Sequence, residues 1–217
     1  MTTDPEENGD EDIVDFIDRL LQKHRADVGN VAVAWNSLQN NLSKLFAVIA
    51  TPDSHSIGYA AWNAVRSDRY QRDMLAETAK AVHAEAPALK ELQWVLGQLD
   101  NLESKRNATI HAPYNIILNN GVISVIPDNL TNNRLAQQLI GKDMAKECAN
   151  LSKTLNLLSI HCQRLMPHLR RDHWASVGRP LPERPQLPRD EEREARKKIQ
   201  QYHLQEKRQR KQKPSQK

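Results

Sequence analysis

Apolar residues in the first half of the chain recur at helical spacing. Ile13, Phe16, Ile17, Leu20 and Leu21 follow the i, i+3, i+4, i+7, i+8 order of an amphipathic helix, which predicts a helix from about Asp10 to Ala26. Trp35, Leu38, Leu42, Leu45, Phe46 and Ile49 repeat the pattern and predict a second helix, closed by Pro52 because the residue before proline is pushed out of helical ψ. A third segment, Ser56 to Ala86, has Ile57, Ala61, Trp62 and Val65 on one side, but its middle is polar, with Ser67, Asp68, Arg69, Gln71 and Arg72 close together. Asp68 and Arg72 stand at i, i+4, the spacing of a helical ion pair. That ridge reads either as a solvated face or as a surface turned toward a ligand or a second subunit.

The fourth helix, Ala88 to about His111, carries Leu92, Val95, Leu96, Leu99, Leu102, Arg106 and Ile110 on one broad face and stops before Pro113. Arg106 thus projects from an apolar side, where an unpaired charge is costly and a partner is required. NIILNNGVISVIP then reads as a β-hairpin turning at Asn120-Gly121, the pair preferred in two-residue type I′ turns. A lone hairpin is marginal, so it is expected to lie on the helices. The last helix is predicted from Asn132 to about Arg170, with Leu151, Leu155, Leu158, Cys162, Leu165 and Leu169 at alternating four and three spacings, a seam of coiled-coil type.

These elements predict an all-α fold, a bundle of about five helices over residues 10–175 with a short β-hairpin insertion. Residues 1–9 read as a disordered acidic start. Residues 176–217 read as a proline-rich linker, with prolines at 180, 182, 185 and 188, followed by a disordered basic tail. The small glycine content, 7 in 217 residues, argues against a turn-rich β fold.

Charge changes the picture of the tail more than of the body. The net charge is +4, but residues 179–217 alone carry +7, which leaves −3 on the preceding 178. The tail can therefore bind phosphate backbones without reading sequence, or act as a solubilising extension. No apolar run approaches the ~18 residues that span a bilayer, and the acidic N-terminus lacks the form of a signal peptide, so no membrane partner and a cytoplasmic location are expected. Cys148 and Cys162 are separated on one predicted helix by roughly 21 Å at ~1.5 Å per residue, too far to bridge, and are expected as reduced, buried thiols.

His161, Cys162, His168 and His173 lack the close Cys-x-x-Cys spacing of a structural zinc site, and no glycine-rich phosphate loop occurs, so neither metal nor small-molecule cofactor is expected. Arg106, Asn107 and His111, in RNATIH, hold more promise. An arginine grips phosphate through its planar fork, a histidine exchanges protons near neutral pH, and an amide can orient either. Together they suit metal-free RNA cleavage, in which a 2′-oxygen attacks the adjacent phosphorus and leaves a cyclic phosphate end. On a regular helix Arg106 and His111 lie roughly 140° apart around the axis. Convergence then requires either unwinding before Pro113 or a second copy of the segment from a partner chain.

An arginine followed by a polar residue, with a histidine after four intervening positions at the end of a helix in a helical bundle, resembles the HEPN superfamily. The resemblance covers mainly Leu89 to Tyr114. It implies a dimeric, metal-independent endoribonuclease of the kind found among stress and defence proteins, with Arg106 and His111 as the catalytic pair and Asn107 as the polar residue after the arginine. The toxin-type variant has a tyrosine two residues after the histidine; here Ala112 and Pro113 intervene and Tyr114 stands third. SDRYQRDML and the RN…IHAP segment also resemble uncharacterised bacterial helical proteins. On this reading Tyr114, Arg69 and Arg72 are candidate substrate-binding residues, RNA the candidate partner and a homodimer the expected assembly. The competing reading is a non-catalytic interaction module, in which Arg106 pairs with Asp68 or Asp100 while Asn107 and His111 cap the helix.

Overall fold

The computed structural model describes residues 7–83, 86–119, 122–128, 134–170 and 178–190. Among them are six helices and one hairpin: α1 (Glu7–Ala50), α2 (His55–Ala64), α3 (Asp68–His83), α4 (Pro87–His111), β1 (Tyr114–Asn119), β2 (Val122–Pro127), α5 (Arg134–Gln137) and α6 (Met144–Leu169). The fold is the expected all-α bundle with a small antiparallel hairpin, but three helix boundaries differ from the sequence reading.

The first two predicted helices are one helix of 44 residues, about 66 Å long at ~1.5 Å per residue. It begins at Glu7, so residues 7–9, expected as part of a disordered segment, are helical. Gly29 lies within α1 and reads as a break, since glycine costs a helix about 1 kcal/mol relative to alanine. The apolar stripe nevertheless continues through Val28, Val31 and Ala34, and burial against α6 outweighs that local cost.

The third predicted helix is two. Val65 adopts an extended conformation after α2 (φ −85°, ψ 115°). The Gln71 side chain closes the break by donating from Nε2 to the carbonyls of Trp62 (3.0 Å) and Val65 (2.9 Å). The last predicted helix also divides. Gly141 takes a left-handed conformation (φ 73°), which glycine adopts without a Cβ clash, and Asp143 then caps α6 by accepting from the Lys146 N–H at 3.1 Å. The expected start at Asn132 lies outside the described residues.

The core forms where α6 lies along the second half of α1. Trp35, Leu38, Leu42, Leu45 and Ile49 meet the expected seam of Leu155, Leu158, Cys162, Leu165 and Leu169, all buried. A polar link crosses this interface where Asn41 Nδ2 donates to Ser159 Oγ at 2.7 Å. In the hairpin, Tyr114 pairs with Pro127 and Asn119 with Val122, a register that leaves two residues for the turn; Asn120 and Gly121 themselves lie outside the described residues. The hairpin rests on α1, with the Tyr114 ring edge-on to His24 at 4.3 Å between centroids.

Part of the proline-rich segment lies on the bundle. Residues 178–190 run without regular structure until a final turn, with Leu187 buried and Arg184 bound to Glu91 of α4 through two contacts of 2.8 and 3.1 Å. The basic stretch 191–217 lies outside the described residues.

Candidate functional site

Three elements meet at Trp35. The apolar stripe of α1 turns its indole inward, where it is 1% exposed, and the buried ring N–H needs an acceptor. Asp68, the first residue of α3, supplies one: Trp35 Nε1 donates to Asp68 Oδ2 at 2.9 Å. The guanidinium of Arg106, from α4, lies over the same indole, 4.9 Å from the ring centroid. Stacking of this kind is worth about 0.5–1 kcal/mol at an exposed site and more where water is excluded. Arg106 also donates from Nη1 to Asn107 Oδ1 at 2.8 Å, so the arginine and the amide after it form one unit. Its Nε is buried and has no hydrogen-bond partner among the described residues.

The carboxylates expected for Arg106 are engaged elsewhere. Asp68 receives the indole, while Asp100 joins Arg72, whose Nε and Nη2 lie 3.2 and 3.1 Å from Asp100 Oδ1. Glu103 completes that cluster at 2.6 Å from Arg72 Nη2. Arg72 is therefore not the partner of Asp68 along α3; it is 2% exposed and ties α3 to α4. Among the described residues no carboxylate forms an ion pair with Arg106.

His111 is exposed and ends α4. The helix does not unwind before it: the cap residue Ala112 still donates to Ala108 O at 3.0 Å. Arg106 and His111 consequently keep the roughly 140° separation of a regular helix. The Tyr114 hydroxyl donates to the Thr109 carbonyl at 2.7 Å, and burial pushes its pKa up to about 12, so it stays protonated and locks the hairpin to α4. Arg69 is exposed on α3, next to Asp68 in sequence. The structure thus groups Arg106 with Asn107, turns Arg72 to a structural ion cluster, and holds His111 apart from Arg106 within one chain.

Asp68 was expected near Arg106 as its carboxylate, but its engagement by Trp35, and the place of Trp35 in this site, were not legible. The only sequence signal was a tryptophan on a core stripe, whose N–H demands an acceptor somewhere. Neither a protein-family model, nor a curated protein, nor a solved structure matches the chain. Among the described residues, no group of acidic, histidine or cysteine side chains is placed to hold a metal ion, and no helix is long and apolar enough to cross a membrane.

Proposed function

We propose that the chain is an HEPN-like, metal-independent endoribonuclease whose active cleft forms between two copies of the α4 terminus in the cytoplasm. The observation that carries the reading is Arg106: a half-buried guanidinium, oriented by Trp35 and Asn107, with no neutralising carboxylate among the described residues. A phosphate supplies the missing opposite charge. The regular end of α4 argues for a composite cleft, because one chain cannot turn Arg106 and His111 to the same point.

In the reaction, neutral His111 takes the proton of a 2′-hydroxyl, the 2′-oxygen bonds to the adjacent phosphorus, and the bond to the 5′-oxygen breaks. The departing oxygen takes a proton from water, leaving a 2′,3′-cyclic phosphate. Arg106 offsets the charge that builds on the phosphoryl oxygens.

Purified protein incubated with RNA and a chelator is expected to yield 2′,3′-cyclic phosphate ends. His111→Ala should lower cleavage by about 10²–10⁴-fold with an unchanged melting temperature. Mixing His111→Ala with Arg106→Ala should restore part of the activity, since a mixed dimer retains one intact histidine and one intact arginine on different chains. Cleavage unaffected by His111→Ala, or no cleavage by the wild type, would leave the interaction-module reading, in which the Trp35 stack alone accounts for Arg106.

A further inference from the structure

A second site lies on another face of α4. A cavity of about 420 Å³ opens between α4, the α5–α6 turn, α6 and the docked segment 178–190, within the ~300–1,000 Å³ range of small-molecule sites. Leu102, Leu139, Leu151 and Leu187 give it an apolar lining from four separate parts of the chain. Lys105, Lys142 and Arg189 converge on it from three of them, all exposed, and none forms an ion pair among the described residues. Glu147 is the one carboxylate among the described residues of the wall, so the lining carries net positive charge. The Gln98 and Asn150 side chains add amide donors and acceptors.

We propose that this cavity binds a small amphipathic phosphate ester, its apolar body against the leucines and its phosphate between Lys105, Lys142 and Arg189. Three cations around one opening repel each other, and a dianion among them relieves that repulsion. The leucine lining distinguishes this site from a surface patch for free phosphate, because burying an apolar body contributes about 25 cal/mol per Å². The ligand also bridges the docked segment to the bundle, since Leu187 and Arg189 belong to the former and Lys105 to α4. Arg184 holds that segment in place through Glu91 and by lying 5.1 Å over the Trp94 ring. The site does not depend on ribonuclease activity.

Phenyl phosphate, inorganic phosphate and benzyl alcohol, titrated calorimetrically into the full-length protein, separate the contributions of head and body. Phenyl phosphate is expected to bind more tightly than either of the others. Lys105→Glu combined with Lys142→Glu should weaken it about tenfold or more, while the circular dichroism spectrum stays unchanged. Arg184→Ala should weaken it by a smaller factor by loosening one wall. His111→Ala should bind phenyl phosphate as the wild type does, which separates this site from the cleavage reading. Equal affinity for phenyl phosphate and inorganic phosphate, no binding at millimolar concentrations, or full binding by the double charge-reversal variant would overturn the proposal.

Discussion

Alanine substitution at two helical glycines should change stability in opposite directions. Gly58 lies where α2 crosses α1, and a Cβ there would stand 2.6 Å from Thr51 Oγ1, 2.7 Å from Ala47 Cα and 2.9 Å from Ala47 Cβ. Thr51 Oγ1 is a side-chain atom, but Ala47 Cα is backbone and cannot rotate aside. The helices must part by about 0.7 Å to restore the 3.4 Å of ordinary contact. Overpacking of this kind costs about 1–3 kcal/mol, against a helix-propensity gain of at most about 1 kcal/mol. The backbone clash favours the upper end, so Gly58→Ala should lose about 1–2 kcal/mol, or roughly 2–8 °C in melting temperature for a domain of this size. Gly97 is exposed in α4 and a Cβ there meets nothing within 4 Å, so Gly97→Ala should gain about 0.5–1 kcal/mol. Thermal unfolding followed at 222 nm reads both. A Gly58→Ala protein melting at or above the wild type would refute the close packing of α2 on α1.

Stability should fall on acidification partly through His161, which is 2% exposed and whose pKa is lowered chiefly by burial, with Arg164 and Arg184 adding to the shift and Glu91 opposing it. The native state favours the neutral ring while the unfolded chain takes up a proton near pH 6.5, so stability is full above that pH and is lost as pH falls through it, by at most about 1.4 kcal/mol per pH unit. His24, also lowered by burial, acts in the same direction. Urea unfolding at several pH values should show a shallower slope in His161→Gln, and an unchanged slope would count against the assignment. Burial pushes Cys162 up to about 12 and Cys148 up to about 11, so neither thiol should react with iodoacetamide near pH 8 until the protein unfolds; rapid native labelling would contradict their burial. Asp143→Ala removes the α6 cap and should cost about 1 kcal/mol, seen as a melting temperature lower by about 2–4 °C.

Helix content and the apolar seam of α6 were legible because burial follows periodicity, although not that α1 covers it: the leucines of 151–169 that repeat at four and three are the ones that become buried. Boundaries were harder where two signals compete. Gly29 carries a local break signal that tertiary burial overrides, whereas Gly141 lies in the turn between α5 and α6, and Asp143 two residues later carries a start that the structure obeys. The difference lies in the flanks: apolar spacing continues across Gly29 but lapses through Gly141, Lys142 and Asp143. At the hairpin, the paired register agrees with the Asn120-Gly121 reading without requiring anything of distant residues.

The site was legible in its composition and not in its pairing. Periodicity places Arg106 on an apolar face, but it cannot decide which of several cations receives Asp68 and Asp100. The structure resolves the competition by burial. Arg72, at 2% exposure, carries the larger desolvation cost, and an uncompensated charge there would cost several kcal/mol, so Asp100 and Glu103 go to it. The buried Trp35 N–H takes Asp68. Arg106, only half-buried, is the cation that can be left with an aromatic face in place of a carboxylate. An anion reaching Arg106 therefore displaces no resident acid among the described residues.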